Sequence, residues 1–182
     1  MRLFLAINLP DELKIELGKL VSGLDFPGIK KVSPENLHIT LKFLGDVDDK
    51  QAENIKQKLL EIKAEELKIT LGNVSFFPNE KNPRVIWIGI NEGQEEIIEL
   101  ERQIDSKLSG LGFKAEKEDF KPHLTIARIK FIKDKCKLLE AANCIKIGKG
   151  FDDKSFDLMA SALRPEGPEY KILHQFSLAD RD

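Results

Sequence analysis

Two short segments hold the residues best suited to chemistry. His38-Ile-Thr-Leu41 and His123-Leu-Thr-Ile126 each place a threonine two positions after a histidine, between aliphatic residues. The chain has only three His and three Thr, so two such pairs arise by chance about once in a thousand sequences of this composition, before search freedom is discounted. In a strand, residues i and i+2 share a face about 6.6–6.8 Å apart, so each imidazole projects beside its hydroxyl while Ile39, Leu41, Leu124 and Ile126 point the other way. Brought together, two imidazoles and two hydroxyls make the set a phosphodiester reaction needs: a base for the attacking oxygen, an acid for the leaving oxygen, and donors for the non-bridging oxygens. Imidazole titrates near 6.5, so one neutral and one protonated ring coexist at physiological pH without extreme tuning. A lone histidine on a strand is ordinarily a satisfied structural residue; pairing and repetition reverse that reading here. His174 has no such partner and reads as structural. No third ligand accompanies His38 and His123 in an HxH or HExxH pattern, so neither a metal nor another cofactor is expected.

The elements that must carry these pairs also repeat. Arg2-Leu-Phe-Leu-Ala-Ile-Asn8 and Arg84-Val-Ile-Trp-Ile-Gly-Ile-Asn91 are apolar runs of buried-strand length. After the first, Pro10, Asp11 and Glu12 suit a helix's first turn, and Leu13, Leu17, Leu20 and Leu24 keep helical spacing until Pro27-Gly28. After the second, Ile97, Leu100, Ile104 and Leu108 form the stripe, and Gly110 and Gly112 end it. The histidine strands come next, then polar-rich helices over about 48–63 and 133–142, then Lys68-Ile-Thr-Leu-Gly72 and Lys146-Ile-Gly-Lys-Gly150. Arg2 to Arg84, His38 to His123 and Lys68 to Lys146 are separations of 82, 85 and 78 residues, the mark of a duplication. Ser155–Leu163 and Tyr170–Leu178 read as a closing hairpin.

Composition bounds the rest. The 182 residues carry 29 Lys plus Arg against 31 Asp plus Glu, a net charge of −2, with 41% hydrophobic residues. That balance suits an ordinary globular domain and argues against a general nucleic-acid coater, though a local basic cleft remains open to it. Cys136 and Cys144 have neither the spacing nor the histidine neighbours of a zinc site, and reduced thiols in the cytoplasm are expected. The apolar start meets Asn8, Pro10, Asp11 and Glu12 too soon for a leader or a membrane span. One two-lobed domain over 1–182 is expected, as a monomer.

The sequence resembles the LigT-like RNA 2′,3′-cyclic phosphodiesterases, also called 2′-5′ RNA ligases, of the two-histidine phosphoesterase superfamily. The resemblance is carried by Arg2-Leu-Phe-Leu-Ala-Ile7, Glu35-Asn-Leu-His-Ile-Thr-Leu-Lys-Phe-Leu-Gly45, Pro83-Arg-Val-Ile-Trp-Ile-Gly89, Phe120-Lys-Pro-His-Leu-Thr-Ile-Ala-Arg128 and Leu163-Arg-Pro-Glu-Gly-Pro-Glu-Tyr170. It implies an α+β, bilobal, pseudo-twofold fold in which two antiparallel sheets form a central cleft with helices outside. It further implies a metal-independent hydrolysis of an RNA 2′,3′-cyclic phosphate end, such as that of a tRNA half, to a 2′-phosphate, with reversible ligation. On matching positions His38 is the acid for O3′ and His123 the base for water, roles that are exchangeable, and Thr40 and Thr125 bind the phosphate.

Around these, Lys42 lies two residues beyond Thr40 and by alternation shares its face. Arg128 by the same alternation points away from His123, so its place in the site requires a bend. Phe4 and Phe43 are candidate stacking platforms, with core packing as the ordinary role. Trp87 reads as core. Lys30, Lys31, Lys114, Lys117, Lys121 and Lys130 are candidates for an RNA approach path and otherwise solvated surface. Two rival functions stand beside the RNA enzyme: a non-catalytic RNA-end or nucleotide-binding module, for which two titrating imidazoles are superfluous, and a phosphodiesterase for a small cyclic nucleotide or 2′-5′ oligonucleotide.

Overall fold

The structure, a computed structural model, describes residues 1–115, 119–165 and 167–179; Lys117 lies outside them. The first half of the chain runs β1 (Arg2–Asn8), α1 (Asp11–Val21), β2 (Ile29–Lys31), a 3-10 turn (Pro34–Asn36), β3 (His38–Asp46), α2 (Asp49–Leu59) and β4 (Leu67–Phe77). The second runs β5 (Val85–Glu92), α3 (Gln94–Ser109), β6 (Leu124–Ile129), α4 (Lys135–Asn143) and β7 (Gly150–Asp153), followed by the hairpin β8 (Ser155–Arg164) and β9 (Gly167–Ser177). Among the described residues no helix is long and apolar enough to cross a membrane.

Local chemistry explains where these elements begin. Asp11 and Glu12 sit in the first turn of α1, where carboxylates meet the positive end of the helix dipole. Asp48 caps α2 by accepting from the Gln51 amide at 2.7 Å, and Asp134 caps α4 by accepting from Lys137 at 3.1 Å, so even the caps recur between halves. α2 ends at Leu59, four residues short of the expected boundary. Gly93 precedes α3 at φ 84°, and a Cβ there would lie 2.4 Å from the Lys68 carbonyl oxygen, so only glycine fits.

All named strand pairs are antiparallel, in the order β7-β4-β5-β6-β3-β1-β8-β9, with β2 added beside β6. One lobe is β3-β1-β8-β9 and the other β7-β4-β5-β6. The expected α+β, two-lobed architecture is present, with one refinement: the two sheets meet at the pair Ile39 and Leu124, making one curled sheet. Each half of the chain therefore completes the other's lobe, the first by sending β4 across and the second by returning β8 and β9. This corrects one landmark of the repeat. Lys146–Gly150 is not the strand equivalent to Lys68–Gly72; β7 begins only at Gly150 and edges β4, while β8 holds beside β1 the place that β4 holds beside β5.

One face of the sheet packs on the helices. Leu3, Leu5, Ile7, Ile39, Leu41, Ile86, Ile88, Leu124 and Ile126 join Leu13 and Leu17 of α1, Ile55 of α2 and Ile97, Leu100, Ile104 and Leu108 of α3 in a continuous buried core. The other face is concave, with a small separate cluster of Phe4, Ala6 and Met159 against Tyr170. That face holds the cleft.

Candidate active site

His38 opens β3, and His123 immediately precedes β6, the two strands that meet at the seam. His38, Thr40, His123 and Thr125 all line one cleft of about 710 Å³. Each imidazole is fixed in the same way: Nδ1 of His38 lies 2.7 Å from the Asn36 carbonyl oxygen, and Nδ1 of His123 lies 2.7 Å from that of Lys121. A carbonyl only accepts, so Nδ1 carries the hydrogen in both rings and Nε2 is left as the working nitrogen.

Both strands then break their alternation at the same point. Leu5 pairs with Lys42 and Ala6 with Thr40, which leaves Leu41 as an extra residue in β3. Ile86 pairs with Ala127 and Trp87 with Thr125, which leaves Ile126 as an extra residue in β6. A bulge turns everything beyond it to the opposite face. Leu41 and Lys42, like Ile126 and Ala127, are consecutive buried residues, and Phe43 and Arg128 return to the cleft. Phe43 is 66% exposed and available to stack, and Arg128 is exposed and lines the same cleft as the two threonines. The five-residue step from His38 to Phe43 equals that from His123 to Arg128, so the duplication has placed an aromatic ring in one lobe where the other has a guanidinium.

Lys42 is the casualty of the same bulge. Expected on the Thr40 face, it points instead into the helix side, 3% exposed, ion-paired with Asp105 of α3 and donating to the Lys114 carbonyl at 3.0 Å. It is no part of the site. Lys30 and Lys31 line the cleft, whereas Lys114, Lys121 and Lys130 do not. His174 packs its ring on Phe176 at 4.6 Å, away from the cleft, in agreement with a structural role.

Aromatic rings wall both histidines. Phe4 lies 5.0 Å from the His38 ring and Tyr170 meets it edge-on at 5.2 Å; Phe77 meets His123 edge-on at 5.0 Å and Trp87 lies 5.8 Å away. Phe4 is 3% exposed, so the core reading holds for it, but its place is beneath a site histidine. Trp87 departs from the core reading. It is half-buried on the cleft side, stacked on Phe77 at 4.6 Å with a 16° interplanar angle. Alternation could have shown this, because Trp87 is the cross-strand partner of Thr125 and must share its face. Asn36, Phe77 and Tyr170 carry no local signal that singles them out: their roles depend on contacts between distant segments.

Burial pushes the His38 imidazole down to about 4 from its ordinary 6.5. The hydrogen bond to Asn36 opposes this, and the nearby cations Lys14 and Arg128 add to it. His38 is therefore neutral in the free cleft at pH 7, with an unprotonated Nε2.

The family described as LigT like Phosphoesterase matches this chain twice, over residues 7–87 and 88–170, one match in each half. Among its relatives, the RNA 2′,3′-cyclic phosphodiesterase of Methanocaldococcus jannaschii is 42% identical over 179 residues, covering 97% of this chain and all of that protein. The enzyme of the same name from Archaeoglobus fulgidus is 38% identical, covering 97% and 99%. In three dimensions a Thermus thermophilus protein superposes over the full length of both chains with a TM-score of 0.83 at 28% identity. Escherichia coli LigT, solved with 3′-AMP, has a TM-score of 0.81 at 24% identity over 97% of each chain, a likeness of fold. With each half of the chain matching the family separately and two full-length relatives above 35% identity, the chain belongs to the LigT-like phosphoesterase family.

Proposed function

We propose that the chain hydrolyses the 2′,3′-cyclic phosphate at an RNA end to a 2′-phosphomonoester, with His38 and His123 as its acid and base. The observation that carries this reading is the matched pair of imidazoles, each with Nδ1 tied to a backbone carbonyl and Nε2 left to a cleft that also holds Thr40, Thr125 and Arg128. A binding module needs phosphate donors but has no use for two oriented proton carriers. The relatives named RNA 2′,3′-cyclic phosphodiesterase support the substrate class.

In the reaction, His123 Nε2 takes a proton from water as its oxygen attacks phosphorus. The bond from phosphorus to O3′ breaks, and His38 Nε2 delivers a proton to O3′. The phosphate stays on O2′, and the net change is addition of one water. Thr40, Thr125 and Arg128 donate to the non-bridging oxygens, whose charge grows in the transition state. His38 is neutral in the free cleft because burial disfavours its cation. The incoming phosphate anion offsets that penalty, so the imidazolium forms when substrate arrives and is a ready donor. With a 5′-hydroxyl in place of water as the attacking group, the same steps run in the same direction join O5′ to the phosphorus, release O3′ and leave a 2′-5′ linkage, without ATP. No step requires a metal.

The test is incubation of the protein, with EDTA, on an RNA ending in a 2′,3′-cyclic phosphate, beside His38→Ala and His123→Ala. A 2′-phosphate product from the wild type alone is expected; a 3′-phosphate product, or turnover by either variant, contradicts the assignment. A phosphodiester with a nitrophenol leaving group separates the roles, because such a group departs without an acid. His38→Ala should then retain far more activity than His123→Ala, and the opposite order exchanges them.

A further inference from the structure

Asn36 makes two contacts at once. Its carbonyl accepts from His38 Nδ1 at 2.7 Å, and its side-chain amide donates to the Pro168 carbonyl at 2.9 Å, a contact spanning 132 residues. Pro168 lies at the start of β9, two residues before Tyr170. The Tyr170 ring stands at 86° to the His38 ring at 5.2 Å, and its other neighbour is Phe4 at 5.0 Å, the ring beneath His38. Asn36, Pro168, Tyr170 and His38 thus form a closed circuit, in which the residue that orients the imidazole also ties down the strand that covers it. Nearby, Lys30 Nζ ends 4.0 Å from where a Cβ on Gly167 would stand. The other histidine is treated differently. Lys121 holds the position before His123 that Asn36 holds before His38, its carbonyl accepts from Nδ1 in the same way, but its side chain is exposed. The rings on His123, Phe77 and Trp87, come from strands of its own lobe just as Phe4 and Tyr170 do for His38, so the difference lies in the side chain two residues before the histidine.

We propose that Asn36 is a positioning residue that straps the start of β9 over His38, keeping water off that imidazole and making two histidines of duplicated origin chemically unequal. The inference rests on the reading of His38 as a proton carrier, and it adds what makes His38 the drier of the pair. Burial is the leading cause of the low proton affinity of His38, and the Tyr170 ring with Phe4 supplies that burial. The charged and titratable groups facing His38 are Lys14 from α1, Arg128 from β6, His123 just before β6, Tyr170 from β9 and, behind Asn8, which pairs with His38 in register, the buried Asp157 of β8. None of these changes when Asn36 loses its amide. A change in the His38 titration therefore reads the strap.

The experiment is an NMR titration of the imidazole resonances in wild type, Asn36→Ala, Asn36→Leu, Tyr170→Ala and Tyr170→Phe, with His38→Gln assigning the His38 signal and the pH profile of kcat/KM recorded alongside. In the wild type His38 should titrate near 4, because burial disfavours its cation. Both Asn36 variants and Tyr170→Ala should raise its proton affinity by about tenfold, toward the free imidazole, and move the acidic limb of kcat/KM with it; Tyr170→Phe keeps the ring and should keep the low value. Asn36 is half-buried, and Asn36→Leu preserves its volume, so a folded spectrum is expected for comparison. An unmoved His38 titration in both Asn36 variants overturns the proposal, as does a rise in Tyr170→Ala unaccompanied by one in the Asn36 variants. Activity surviving in His38→Ala would instead refute the catalytic reading and leave the NMR result intact.

Discussion

Replacing Lys42 by methionine separates the two places this lysine could occupy, the cleft or the interior. The side chain is 3% exposed and its partner Asp105 14% exposed, and the ammonium also serves the Lys114 carbonyl. Methionine keeps most of the volume and removes the charge, so Asp105 is left as a nearly buried carboxylate without its counter-ion. Breaking a buried pair on one side typically costs about 3–5 kcal/mol. For a chain of this size each kcal/mol lowers Tm by about 2–4 °C, so Lys42→Met should melt roughly 6–20 °C below wild type. The double variant Lys42→Met, Asp105→Leu removes both charges and should recover most of that loss, since apolar replacement of a buried pair is often neutral. The assay is thermal unfolding by circular dichroism, with hydrolysis of a cyclic-phosphate RNA end measured at 25 °C, below every transition. Both variants should hold kcat/KM within about threefold of wild type, because the ammonium contacts no group in the cleft. A Tm unchanged in Lys42→Met would refute the buried pair. A hundredfold loss of kcat/KM in a fully folded double variant would show that the lysine acts in the site after all.

Three further outcomes follow from the cleft. His38 has a proton affinity lowered by folding, so its contribution to stability is complete above 6.5 and is lost as the pH falls toward 4; the loss amounts to about 3 kcal/mol, and denaturant unfolding of His38→Gln should lack this component. Trp87 is the only tryptophan in the chain and lies 5.8 Å from the His123 ring, so its emission should change in His123→Ala, which removes that ring, while the far-UV circular dichroism stays as in wild type. Arg128→Ala should weaken binding of a single-stranded RNA end and reduce the slope of log K against log salt by about 0.7, the value for one lost phosphate contact; an unchanged slope would place Arg128 off the phosphate path.

The four residues proposed for the reaction could be picked out from the order of amino acids because their signal is local and doubled. A histidine and a threonine two apart must share a face of any strand, and finding the pair twice at a separation of 85 residues already implies a two-lobed architecture around one cleft. The helices were legible for the same reason: their apolar spacing and caps act within a few residues, and all four appeared close to where they were expected. What the tertiary structure decided are matters of long-range pairing. Strand period two predicted opposite fates for Lys42 and Arg128, and the structure inverted both. Leu41 and Ile126 are each an extra residue against a partner strand, and such a bulge is defined only by register with that partner. The crossing of β4 into one lobe and of β8 and β9 into the other was equally invisible, since any buried strand reads alike whichever sheet it joins. It is this exchange that lays Tyr170 on His38 and brings Pro168 to Asn36 across 132 residues. Local chemistry in the sequence picked out the two histidines; which rings and strands enclose each was decided by segments far away along the chain.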